Sequence, residues 1–388
     1  MQRRSAHYPC VGLQGLLSVR GNPSGVLVRI TLPFAVLSML VASPAAAEVA
    51  GSNQQAIING DEVSTDIFPS AAQLIMGGII QEQDIKAPSC TATLIAPDVV
   101  LTAGHCLDPF GLTFGLFELD NLAFWVTFEE DLSGMVGQSQ GEPTELPDDA
   151  VEASGWVQHP GFDMDAFGAG VDGPGRFDDI ALVFLETPIT NRPHAYLPSA
   201  EEDGSIVEGQ AVDIVGYGQQ TQTDGPFDPP PDGTVNVRIH AESFINELAE
   251  FEMQIGDGPE TSRKCHGDSG GPTYTQVETD LSNDVRVIGV TSHAYDERDC
   301  DVGGVDTRVG PYLEWIDDEM VRACDEGVRS DCDEPGILAP GEPAGDDDDD
   351  DDGSGCDSGC SAQGASSESP LALAVLAGVL GRRRRRSS

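Results

Sequence analysis

Apolar residues in this chain come in short blocks broken by Gly, Pro and Asp, a pattern of brief strands and turns rather than long helices. Residues 89–106, SCTATLIAPDVVLTAGHC, read as an apolar strand, a turn at Ala96, Pro97 and Asp98, and a second apolar strand ending beside His105. Further on, FDDIALVFLE sets Asp178 and Asp179 at the head of a continuous apolar strand, and CHGDSGGP sets Ser269 in a glycine-rich turn. Two more apolar runs, within residues 30–47 and 371–381, are too short for the roughly 20 residues that span a bilayer.

Composition agrees with this picture. Among 388 residues, the hydrophobic share of 39% sits below the usual globular share, and 45 Gly and 26 Pro supply many turns and argue against an all-helical protein. The formal net charge of -46, from 20 Lys plus Arg against 66 Asp plus Glu, argues against a nucleic-acid binder, because a phosphate backbone is held by clustered positive charge. Repulsion among so many carboxylates is relieved by screening, which suits a saline or Ca2+-rich setting.

Charge is also unevenly placed. Arg3, Arg4, Arg20 and Arg29 are the only charged residues of the first 47, and five Arg stand at 382–386, so both ends read as addresses. Arg29, the apolar run after it and Ala45-Ala46-Ala47 form a secretory signal over residues 1–47, cut before Glu48. Its leading part is long for a signal, and a later true start would remove Cys10 from the protein. At the other end, residues 323–355 run through a Pro/Gly linker into seven consecutive aspartates at 346–352, which repel one another and do not fold.

Residues 356–388 then give Cys356, Cys360, a short apolar segment and the Arg cluster. This order resembles the myxobacterial C-terminal sorting signals. The resemblance implies an exported protein, extracellular or held at the outer surface of a Gram-negative cell, handled by a sorting and processing enzyme, with membrane contact only through this segment. A tail anchor with Cys356 and Cys360 bonded together is the competing reading.

Nine cysteines lie at 10, 90, 106, 265, 300, 324, 332, 356 and 360. Without Cys10 the count is even, and an exported chain meets oxidising conditions, so structural disulfides are expected. No CxxC pair occurs and seven His are scattered, which gives no zinc pattern.

The blocks LTAGHC, DDIALVFLE and CHGDSGGP resemble, in that order, the three signatures of the trypsin-like (chymotrypsin-fold) serine proteases. Supporting matches are IING at 57–60, Gly216-Tyr217-Gly218, Thr291-Ser292 and GVDTRVGPYLEWI ending at Ile316, so the likeness covers residues 57–322. It implies an all-β fold of two packed six-stranded antiparallel barrels with a short C-terminal helix at 311–323. It also implies a secreted or surface-anchored serine endopeptidase acting on protein or peptide substrates through an acyl-enzyme, with no organic cofactor. The alternative is a catalytically silent binding protein of the same fold held at the cell surface.

The roles have physical reasons. A serine hydroxyl is a weak nucleophile at neutral pH, so Ser269 needs His105 to take its proton and return it to the leaving amine. Asp179 holds the imidazole in the useful tautomer; Asp178 is the neighbouring candidate, and alternation aims the two acids in opposite directions. Gly267 lets the backbone turn so that its N–H and that of Ser269 point at one oxygen. The family is made as zymogens: a cut after Ala56 releases a propeptide at 48–56 and frees an ammonium at Ile57 to pair with Asp268. The propeptide has no basic residue before the cut, which argues against a trypsin-like activating protease.

The resemblance pairs Cys90 with Cys106 and Cys265 with Cys300, leaving Cys324 and Cys332 to close a local loop. It places Arg263, Lys264, His266, Ser292, His293, Ala294, Gly304 and Asp306 around the substrate pocket, with Arg263 at its base. No acid stands there, against cleavage after Lys or Arg. Arg263 either attracts an acidic substrate side chain or pairs internally with Asp306 and leaves the pocket neutral. Between His105 and Asp179 lie 73 residues, including Glu129-Glu130-Asp131 and Asp148-Asp149, whose oxygens suit either Ca2+ or a solvated surface.

Overall fold

The computed structural model describes residues 57–109, 113, 118–135, 145–168, 173–220, 234–277, 285–296, 299–333 and 336–337. The expected signal, propeptide, aspartate run and sorting segment lie outside the described residues. A two-residue strand β1 (Asp61–Glu62) leads into β2 (Ala71–Ile80), β3 (Gln83–Ala96), β4 (Val99–Thr102), β5 (Asp120–Thr127), β6 (Val151–Gln158) and β7 (Ala181–Leu185). These last six close a barrel in the order β2-β3-β4-β7-β6-β5. The second barrel holds β8 (Ala211–Gly216), β9 (Ile239–Leu248), β10 (Glu252–Ile255), β11 (Pro272–Gln276), β12 (Val285–Asp296) and β13 (Asp299–Arg308). It runs β9-β10-β13-β12-β11-β8 and closes through β8 with β9, while β1 adds to the β9 edge. Every pairing is antiparallel, as the family resemblance implies, and closure leaves few unpaired edges.

The local patterns explain the layers. VVLT in β4 and ALVFL in β7 are buried along their whole length, as continuous apolar runs should be. One apolar cluster fills the first barrel and continues through Val215, Tyr274, Val287 and Val290 of the second; another, with Ile57, Ile239, Ile255 and Ile288, fills the second barrel. The C-terminal helix Leu313–Asp325 buries Leu313, Ile316, Met320 and Ala323, a three- and four-residue spacing that lays one face on the core. It starts later than expected because Pro311 belongs to the 3-10 turn Gly310–Tyr312 that enters it.

Disulfides join Cys90 to Cys106, Cys265 to Cys300 and Cys324 to Cys332. Inside the last loop, buried Arg329 donates through Nε and Nη2 to Asp98 at 3.0 and 2.9 Å, in the turn between β3 and β4. Asp98 also accepts the Ser330 and Asp331 N–H groups, so four donors latch the end of the domain to the first barrel. Arg238, buried just before β9, donates to the Ile67, Phe68 and Ala71 carbonyls and ties the second barrel to the start of β2.

Candidate active site

The pairing of β4 with β7, with Thr102 opposite Ala181, brings together the segments that follow one strand and precede the other. His105 lies in the 3-10 turn Gly104–Leu107 just past β4, braced by the Cys90–Cys106 bond to β3. Asp179 stands two residues before β7 and is completely buried. Its Oδ2 meets His105 Nδ1 at 2.7 Å and accepts the Ser292 hydroxyl at 2.6 Å, while Oδ1 accepts the His105 backbone N–H at 2.8 Å. Burial alone would raise its carboxyl, but the facing His105 and the Ser292 and backbone bonds outweigh it and hold Asp179 below the usual range.

Asp178 points elsewhere. With φ of 51°, it accepts from the Tyr312 hydroxyl at 2.8 Å and from Arg176 Nε at 2.9 Å, fastening this loop to the C-terminal helix entry.

Ser269 comes from the second barrel, in the turn before β11. Gly267 and Gly270 adopt φ of 94° and 78°, and a Cβ on Gly270 would sit 2.1 Å from Thr102 Oγ1 and 2.3 Å from the Thr91 carbonyl. Thr91 of β3 grips this turn: its N–H donates to the Ser269 carbonyl at 2.8 Å, and its hydroxyl donates to the Gly267 carbonyl and accepts the Tyr217 N–H. Among the described residues, neither the Gly267 nor the Ser269 N–H donates to a protein acceptor, and no hydrogen bond joins Ser269 Oγ to His105. Such catalytic bonds commonly form only with substrate present.

Asp268 turns inward and is completely buried, accepting the Gly218 N–H and the Cys265 N–H at 2.8 Å each. Gly216 and Gly218 make room for it, since a Cβ on either would come within 2.6 Å of an Asp268 side-chain atom. Burial pushes its carboxyl up to about 7, against the opposing pull of the two N–H groups and Lys264. Ile57 is buried in the second-barrel core, and Ile58 exchanges backbone hydrogen bonds with Arg263.

A pocket of about 50 Å³ opens beside Ser269 and is lined by Lys264, His266, Ser292, His293, Ala294 and Gly304 together with the Cys265–Cys300 bond. Arg263 and Asp306 do not line it. Arg263 does not pair with Asp306: its guanidinium turns away to Asp301 at 3.0 Å and to the Cys300, Gly258, Pro259 and Thr261 carbonyls. Because Arg263 and Lys264 are consecutive in extended backbone, their side chains point oppositely, and Lys264 is the one that reaches Asp306. A substrate acid therefore finds no guanidinium at the pocket base.

The acidic groups have local duties. Glu130 accepts the Thr65 N–H, Asp131 caps Ser133, and Asp149 accepts the Thr127 hydroxyl and the Phe128 N–H. Among the described residues, the two clusters with metal-ligand spacing each contain two cysteines already bonded to one another, so neither offers thiolates.

Sequence reasoning missed Phe167, whose ring stacks on His105 at 5.1 Å, and buried Glu252, which accepts the Gly175 and Phe177 N–H groups and holds the approach to Asp178. Phe167 lies in a glycine-rich stretch without periodicity, and Glu252 in an apparent acidic surface run, so neither carried a signal.

The family description "Trypsin" matches residues 57–316. Chymotrypsin-like elastase family member 1 of Homo sapiens is 27% identical over 274 residues, covering 67% of this chain and 90% of that protein. Phenoloxidase-activating factor 1 of Holotrichia diomphalia is also 27% identical, over 67% of this chain and 69% of its own length. Proproteinase E of Bos taurus is 26% identical over 241 residues, 60% of this chain and 83% of that protein.

Proposed function

Since the chain belongs to the trypsin family of serine endopeptidases, we propose that it hydrolyses peptide bonds in protein substrates through Ser269, His105 and Asp179. The Ser269 oxygen bonds to the substrate carbonyl carbon while its proton passes to His105 Nε2. The carbonyl oxygen gathers negative charge facing the Gly267 and Ser269 N–H groups, where each such donor typically lowers the barrier by about 2.7 to 4 kcal/mol. The C–N bond then breaks, His105 returns the proton to the amine, and water releases the acyl group by the same route. Asp179 keeps the Nδ1 proton in place throughout.

The observation that carries this reading is the buried carboxylate fastened to His105 Nδ1 at 2.7 Å beside the pocket that contains Ser269. The enzyme is made as a zymogen: cutting after Ala56 frees the Ile57 ammonium, the missing cationic partner for an Asp268 carboxyl that burial disfavours as an anion. The protein is exported by residues 1–47 and held at the outer cell surface through residues 356–388. A fluorophosphonate probe, which esterifies an activated serine, should label protein with an Ile57 terminus and fail on Ser269→Ala. Correctly processed protein that takes no label would instead support a silent binding role.

A further inference from the structure

One charged side chain lines the pocket beside Ser269. Lys264 is about 1% exposed, and its ammonium turns to the barrel interior. The three N–H donors of an ammonium meet three acceptors there: Asp306 Oδ2 at 2.8 Å, Thr273 Oγ1 at 2.7 Å and the Gly271 carbonyl at 3.4 Å. Thr273 in turn donates its hydroxyl to Asp306 Oδ2 at 2.5 Å, so both of its roles are committed. On the facing strand a Cβ at Gly304 would lie 3.3 Å from Lys264 Cβ, which shows how closely the two walls approach.

We propose that Asp306 and Lys264 together set the substrate preference, Asp306 by holding the Lys264 ammonium away from the pocket, so that cleavage follows uncharged residues. The proposal rests on the endopeptidase reading above and names the residue whose carbonyl is attacked, here P1. A P1 Lys or Arg brings a second cation toward Lys264, and a P1 acid finds every ammonium donor already used. Burial pulls the Lys264 ammonium below its usual range, and Asp306 opposes that pull, so the pair's charge is cancelled within the wall.

The test uses the full chain processed to Ile57, with active sites counted by the fluorophosphonate probe before any cleavage assay. In a peptide library varied at P1, uncharged residues such as Ala, Ser and Leu should lead Lys, Arg and Glu by about tenfold or more in kcat/KM. In Asp306→Asn the ammonium loses its countercharge, and P1 Glu should gain about tenfold relative to Ala. The double variant Lys264→Met with Asp306→Asn carries neither charge and should show no such gain, which keeps the test usable if the single variant misfolds. Wild-type cleavage led by Lys, Arg or Glu overturns the proposal, as does an acidic gain in the double variant or none in a labelled Asp306→Asn. Wild-type protein that takes no label fails the endopeptidase reading instead.

Discussion

Asp179→Asn isolates the orienting carboxylate with the least change of shape. Three donors converge on it: His105 Nδ1 and the Ser292 hydroxyl on one oxygen, the His105 backbone N–H on the other. An amide offers one carbonyl oxygen and one NH2, so it must choose. Turning the carbonyl to His105 Nδ1 sets the NH2 against a backbone N–H in a fully buried site, a mismatch of about 1 to 3 kcal/mol. Turning it to the backbone is cheaper, because the hydroxyl can rotate and the imidazole can move its proton, whereas the peptide N–H cannot. The imidazole then carries its proton on Nε2, where the base is needed. The expected loss in kcat is about 10⁴-fold, equivalent to about 5.4 kcal/mol at 1.36 kcal/mol per decade. The assay is kcat on a chromogenic peptide with active sites titrated, run beside a thermal melt. A loss below tenfold with an unchanged melt refutes the claim that Asp179 fixes the tautomer.

Asp268 predicts a pH signature of the uncut chain. Its raised carboxyl contributes stability below the unfolded value near 3.9 and loses it as pH rises through about 7. The melting temperature of uncut wild type should therefore fall relative to Asp268→Asn across that window, and a pH-independent difference would defeat the assignment. With a free Ile57 ammonium as partner, the fall should shrink or reverse. Arg329→Ala or Asp98→Ala breaks the buried latch and should cost about 3 to 5 kcal/mol in chemical denaturation. The double variant should fall well short of the sum, since each partner is stranded only by loss of the other, and full additivity would exclude their coupling.

Much of this was legible in order along the chain. Continuous apolar runs mark β4 and β7 because strands buried on both faces need no alternation, and glycine at 267 and 270 follows from positive φ and close contact. The pocket base was not legible for a reason of parity. An Arg and a Lys in succession point oppositely, and only the register with Ile58 decides which faces Asp306. Glu252 was hidden because a buried carboxylate and a solvated one look alike until their hydrogen-bond donors, here two backbone N–H groups 75 or more residues away, are known.

The grip of Thr91 on the serine turn has a consequence for biosynthesis. His105 and Asp179 both belong to the first barrel, but the hydroxyl that would use them lies some ninety residues further along the chain, in a turn that Thr91 holds against β3. A chain translated only as far as the first barrel therefore holds a base with nothing to activate. On the proposed mechanism, self-digestion is avoided before any propeptide acts, because the lethal geometry is the last to come into being.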